Sequence, residues 1–199
     1  MKPAYCCVCF AIPSNMFRKL AERSGEPERA LLQGHIDSSM RLRSMRNVAA
    51  KQASPLPLVQ AAASKLAYRR SVFNAGTGGE LPGTPMRHEG GKPVKDRAVN
   101  HVYDNTGIAL DFYQHVLGRN SIDNRRMRVE SSVHFGNNFA NAMWTGHHMV
   151  YGDGDHFVSG FTEALDIITH ELSHGGIQYL IPGGLGIHRV PVKERKFKE

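Results

Sequence analysis

At 199 residues and 41% hydrophobic, the chain can bury one sizeable core and add a smaller appendage, and no apolar run approaches the roughly 20 residues that would span a bilayer. The net charge of +7 is uneven, with 12 Lys or Arg against 4 acids in residues 1–70, 8 against 12 in residues 71–187 and 5 against 2 in the last 12. The basic N-terminal piece has few aromatics and no Gly-rich RNA-binding pattern, so a basic segment folded onto an acidic core is favoured over a nucleic-acid partner, and no membrane partner is expected.

Along the chain, Cys6, Cys7 and Cys9 come first and leave the presumed core without a disulfide, so they say little about compartment. A stretch from Ala4 to Ile12 faintly resembles a short signal peptide but lacks a small-residue cleavage site. Ser14 is placed to cap a short helix through Met16, Phe17 and Leu20, and Pro27 to open a second through Leu31, Ile36, Met40 and Met45. From about Asn47 to Ala67 the text is rich in Ala, Ser and Pro, and Pro55 and Pro57 forbid a continuous helix, which reads as a linker or an ordinary loop. Gly and Pro then surround short apolar pieces from Arg69 to Gly90, as strands and turns would be arranged. A helix follows through Val102, Ile108, Leu110, Phe112 and Val116, ended by Gly118. "MRVESSVHFG" alternates Met127, Val129, Ser131, Val133 and Phe135 on one side as a strand, and "NAMWTGHHMVYGDGD" reads as another strand leading into a turn formed by Asp153 and Asp155.

The most informative stretch is "DIITHELSHGG", residues 166–176. Phe161, Leu165, Ile168, Leu172 and Tyr179 recur at helical spacing after Gly160 and Thr162, and Pro182 with Gly183 and Gly184 stops the run. His170 and His174, four apart, lie one turn apart on one face and can offer two imidazoles to one ion, on a stripe separate from Leu165 and Leu172. Glu171 beside the first histidine could take the proton of a water acidified by zinc. The plain alternative is a helix with two surface histidines.

Beyond that helix, "LPG" (81–83), "RHEG" (87–90), "VNHVYDN" (99–105), "GRNSID" (118–123), "SSVHFG" (131–136), "NAMW" (141–144), "MVYGDGD" (149–155) and "HELSHG" (170–175) occur in one order. Together the chain resembles the thermolysin family of zinc metallopeptidases, and within it the protealysin-type members with a short propeptide. The resemblance implies an α+β fold, with an antiparallel sheet and a zinc-binding helix in residues 68–180, a propeptide-like helical segment and linker in 1–67, and a divergent basic tail in 181–199. It implies an endopeptidase acting on protein or peptide substrates, masked by its own propeptide and secreted by family habit. His170 and His174 would be Zn2+ ligands and Glu171 the general base. Asn141, Ala142 and Trp144 would line a cleft where extended substrate pairs with a strand edge. Asp166 matches a Ca2+ ligand, or is a solvated carboxylate at a helix start. The family's double-proline propeptide motif is reduced here to Pro13 followed by Ser14, and a cysteine reaching the zinc is a further device to weigh.

The pattern breaks after Leu180. The family's third zinc ligand lies 20 residues after the second histidine, which here is Glu194, but Lys193 and Lys198 replace its neighbours, so Glu194 is a ligand by spacing alone. The oxyanion-stabilising residues of the family are not found downstream, and His188 reads as a loop residue. The expectation is a zinc metalloendopeptidase by descent whose 199-residue chain is incomplete and weakly active. The other readings are a non-catalytic protein that masks a peptidase cleft with its basic N-terminal segment, and a nucleic-acid-binding module.

Overall fold

The computed structural model describes residues 10–52 and 69–180. Two helices come first, α1 (Ser14–Ala21) and α2 (Glu28–Gln52). Ser14 is the first helical residue and makes no cap, because Pro13 with its fixed φ of −64° takes the N-cap position. Pro27 does open α2, its carbonyl accepting the Leu31 N–H. α2 buries Leu32, His35, Ile36, Ser39 and Leu42 and leaves Met40 exposed, so its inward stripe is not the one the apolar residues alone suggested. It also continues to Gln52, making helical the first part of the stretch read as a linker; the remainder of that stretch lies outside the described residues.

The sheet contains β1 (Arg69–Asn74), β2 (Thr84–His88), β3 (Arg128–Val133), β4 (Ala142–Trp144) and β5 (Met149–Tyr151), in the order β2-β1-β3-β5-β4. The α+β class expected from the sequence holds, but the sheet is mixed instead of antiparallel throughout. β1–β2 and β4–β5 are antiparallel, whereas β3 lies parallel to both β1 and β5. The physical reason is the crossover: the helix α3 (Arg97–His115) separates β2 from β3, and a parallel neighbour needs such a long return path. "NAMWTGHHMVY" forms two strands, not one. Thr145 closes a hairpin, its N–H and Oγ both donating to the His148 carbonyl at 2.8 and 2.9 Å.

The strand alternation sorts side chains into two clusters. Trp144, Met149, Tyr151, Val129 and Val133 join α3 and the last helix, α4 (Leu165–Leu180), in the larger one. Met143 and Val150 join Phe10, Leu42, Phe135 and Phe139 in the smaller. In α3 the buried stripe runs through Val99, Val102, Tyr103, Thr106, Ala109, Leu110 and Tyr113. Ile108, Phe112 and Val116, expected inside, are about half exposed or more. The sheet takes the face with small residues because it must come close: Arg70 of β1 lies against Gly107 and donates to the Tyr103 carbonyl at 2.9 Å.

Candidate metal centre

α4 carries His170, Glu171 and His174, whose ligand atoms all lie within 4.8 Å of one another, the one such group of three or more among the described residues. The two imidazoles meet edge to face, Nε2 to Nε2 at 3.1 Å. A tetrahedral zinc bound by two nitrogens at 2.0–2.1 Å would hold them about 3.4 Å apart. The difference of a few tenths of an ångström is within side-chain adjustment, so this donor set fits the ion. His170 is exposed while His174 and Glu171 are buried, which leaves an open side. Phe161, Ile168 and Leu172 are buried as expected, while Leu165 is 38% exposed; His174 is buried with that apolar stripe and His170 stays at the surface.

Glu171 is fixed by the sheet. β4 is an edge strand, and its Trp144 N–H donates to Glu171 Oε2 at 2.9 Å. The other oxygen, Oε1, is buried without a hydrogen-bond partner. Such an orphaned acceptor beside two histidines suits a cation or a water held there. Burial pushes the Glu171 carboxyl up to about 8, against the pull of the Trp144 N–H and the charge of Arg46 on α2.

Two glycines set the spacing of this helix from its neighbours. A Cβ at Gly175 would come within 2.9 Å of Ile122 and 3.2 Å of the Trp144 ring, and one at Gly176 within 2.9 Å of the Tyr113 hydroxyl. The Trp144 indole is wholly buried and donates to Gln178 at 2.9 Å, so its side chain braces α4 and only its backbone faces the centre.

The rest of the β4 edge is taken by the chain itself. Ala11 N–H reaches the Ala142 carbonyl at 3.4 Å, Ile12 N–H donates to Asn141 Oδ1 at 2.9 Å, and Asn141 Nδ2 returns a bond to the Ile12 carbonyl at 2.8 Å. Residues 11 and 12 therefore sit on the edge that the sequence reading reserved for substrate, held by one backbone bond to Ala142 and two bonds to the Asn141 side-chain amide. Asp166 stands exposed in the first turn of α4, where a carboxylate suits the helix dipole. Asp155 does form a turn, accepting from the Phe157 and Val158 N–H groups, and Asp153 bonds His134 at 2.6 Å. Glu194, His188 and the three cysteines lie outside the described residues.

Sequence reasoning assigned no role to His35, His134 or His148. His35 meets Asp155 at 2.8 Å across 120 residues of sequence, His134 bridges Asp96 and Asp153, and His148 Nε2 lies 2.6 Å from Ser132 Oγ. A histidine whose partners are this remote carries no local signal; only the "VHFG" and "GHHM" contexts flagged the neighbourhood.

A paired-histidine helix braced by a glutamate against a sheet edge is a donor arrangement suited to a metallohydrolase type of centre. The family model described as "Thermolysin metallopeptidase, catalytic domain" matches residues 58–178, more than half of the chain, and the chain belongs to that family. It is similar to an extracellular metalloprotease of Pectobacterium carotovorum subsp. carotovorum, 31% identical over 84% of this chain and 47% of that protein. It is also similar to protease PrtS of Photorhabdus sp. (strain Az29), 42% identical over 55% of this chain and 30% of that one. Among solved structures it resembles the precursor of protealysin, a metalloproteinase from Serratia proteamaculans, with a TM-score of 0.68 and 30% identity over 85% of this chain and 47% of that chain. The chain thus spans half or less of the length of these relatives.

Proposed function

We propose that the chain supplies the metal-binding helix and the substrate-pairing edge of a zinc-dependent endopeptidase, with residues 1–67 as a propeptide-like segment, 68–180 as the peptidase domain and 181–199 as a divergent tail. The observation that carries this reading is the His170–Glu171–His174 group pinned to the edge strand through the Trp144 N–H. His170 and His174 would hold the ion, with Glu194 as a third ligand by spacing and Asp166 as a calcium ligand by resemblance. Zinc, when bound, supplies a water acidified toward neutrality and a Lewis acid for the scissile carbonyl. Glu171 Oε1, free of hydrogen bonds, would serve as the base, holding a proton there and passing it to the departing amine. Oε2 stays on Trp144, so the carboxylate is held in one orientation throughout. Ala142 through its carbonyl and Asn141 through its side-chain amide align an extended protein or peptide strand, as they now hold residues 11 and 12, and β4 with the buried Trp144 excludes water behind the site.

The occupation of that edge by residues 11 and 12 supports a masked precursor. It equally supports the second reading, a non-catalytic protein whose N-terminal segment covers a peptidase cleft. Turnover separates the two. Zinc titration against a competing chelator is expected to show one ion lost in His170→Ala and in His174→Ala but retained in Glu171→Gln. Casein hydrolysis is expected to be chelator-sensitive and to drop by orders of magnitude in Glu171→Gln. Zinc binding indifferent to both histidines would refute the assignment.

A further inference from the structure

The contact between the N-terminal helices and the sheet domain is mostly apolar, with Phe17, Leu32 and Ile36 packed into the larger cluster and Phe10 and Leu42 into the smaller. Among the polar side chains buried in these helices, Ser14, His35 and Ser39, His35 is the one with a hydrogen-bonded carboxylate partner across the contact. His35 of α2 is 2% exposed, its ring lies 4.9 Å from that of Phe17, and both its nitrogens are engaged. The Ala140 N–H donates to Nδ1 at 3.4 Å, which leaves the proton on Nε2, and Nε2 donates to Asp155 Oδ2 at 2.8 Å. The Asp155 side chain is also 2% exposed, and its Oδ1 is occupied by the Phe157 and Val158 N–H groups at 2.8 and 2.9 Å. Every polar atom of the pair is satisfied by a partner in one geometry.

We propose that His35 and Asp155 form a latch that selects and registers the segment seated on the β4 edge. The surface around Ala140 and Asp155 thus recognises an amphipathic helix that presents a neutral imidazole between apolar turns. This rests on the masking role of residues 10–52 and names the contact that gives it specificity. Apolar packing alone tolerates sliding; a buried carboxylate does not. A one-turn slip of α2 would set Leu32 or Ser39 against Asp155, leaving a buried acceptor without its donor and the Ala140 N–H without its acceptor. The latch thereby also fixes where Ala11 and Ile12 fall on Ala142 and Asn141.

The test is hydrogen exchange by mass spectrometry on the full chain carrying Asp155→Asn. Its carbonyl oxygen can keep the Phe157 and Val158 bonds, so the amide must face His35. Two donors then oppose each other, and moving the imidazole proton to Nδ1 only transfers the clash to the Ala140 N–H. Exchange in α1 and in residues 28–46 is expected to rise about tenfold or more while α3 and β3 keep their protection. His35→Ala should produce the same local opening, and the double variant little beyond either single change. No local rise, an equal rise in α3 and β3, or fully additive single effects would overturn the latch. Casein hydrolysis that stays unchanged when the segment has opened would remove the masking role and leave the latch standing.

Discussion

His148 makes the stability of this fold depend on pH in a way that can be worked from its surroundings. The side chain is 5% exposed in the β4–β5 turn. Ser132 Oγ donates its single hydrogen to the Pro82 carbonyl at 2.6 Å, so at the 2.6 Å contact with His148 it is Nε2 that donates. Burial, with a smaller push from His147, lowers the imidazole to about 4. Glu130 lies 3.8 Å from Nδ1 but is itself 37% exposed, so water screens its attraction and burial prevails. Because the folded value lies below the ordinary 6.5, the unfolded chain binds the proton first. The contribution is complete above 6.5 and is lost as pH falls from there toward 4, amounting to about 3 kcal/mol over the whole window and about 2 kcal/mol between pH 7.5 and 5. Urea unfolding of the parent and of His148→Gln, whose amide can still donate to Ser132 Oγ, should show the parent losing about 2 kcal/mol more than the variant over that interval. Equal losses would refute the reasoning, since an imidazole free to protonate in place contributes no such difference.

His134 is expected to act with the opposite sign. Burial pulls its value down, but the hydrogen bonds to Asp96 and Asp153 outweigh it and the net shift is upward, so its contribution is complete below the ordinary value and fades as pH rises through the raised one. The melting temperature of His134→Gln should fall furthest below that of the parent at mildly acid pH, and a deficit that grows with alkalinity would contradict this. In α3, Leu110→Ala should cost about 2–5 kcal/mol in chemical denaturation and Phe112→Ala under about 1, because Leu110 is wholly buried and Phe112 is 49% exposed; similar losses would mean that α3 packs through its other face. Gly176→Ala should lose stability despite the better helix propensity of alanine, by about 1 kcal/mol net, since the new methyl meets the Tyr113 hydroxyl; a gain in a thermal melt would show that the ring can step aside.

What could be read from the sequence depended on the range of the interactions that specify it. The HExxH spacing is a property of four consecutive helical steps, and His170, Glu171 and His174 came together as that spacing required. Alternation in "MRVESSV" was equally local, and Val129, Ser131 and Val133 are buried. In α3, Val102 and Leu110 are buried as the spacing implied, but Ile108, Phe112 and the C-cap Val116 lie on the outside. Its inner stripe includes Thr106 and Ala109, small enough for the sheet to approach, and only the approach of Arg70 to Gly107 explains that choice. The parallel pairing of β1 with β3 joins residues such as Val72 and Ser131, a register no short window contains. His35 had no local mark at all.

The separation of 120 residues between His35 and Asp155 also has a meaning in time. At a synthesis rate of about 5–20 residues per second, Asp155 emerges roughly 6–24 s after His35. α1 and α2 can form early, since they pair with each other, but the surface that covers Phe17, Leu32 and Leu42 is still being made. β3, at the centre of the sheet, and β5 beside it are themselves translated late. The N-terminal helices therefore wait beside the nascent chain with their apolar residues only partly covered, the interval in which a chaperone or a neighbouring nascent chain has the best access to them.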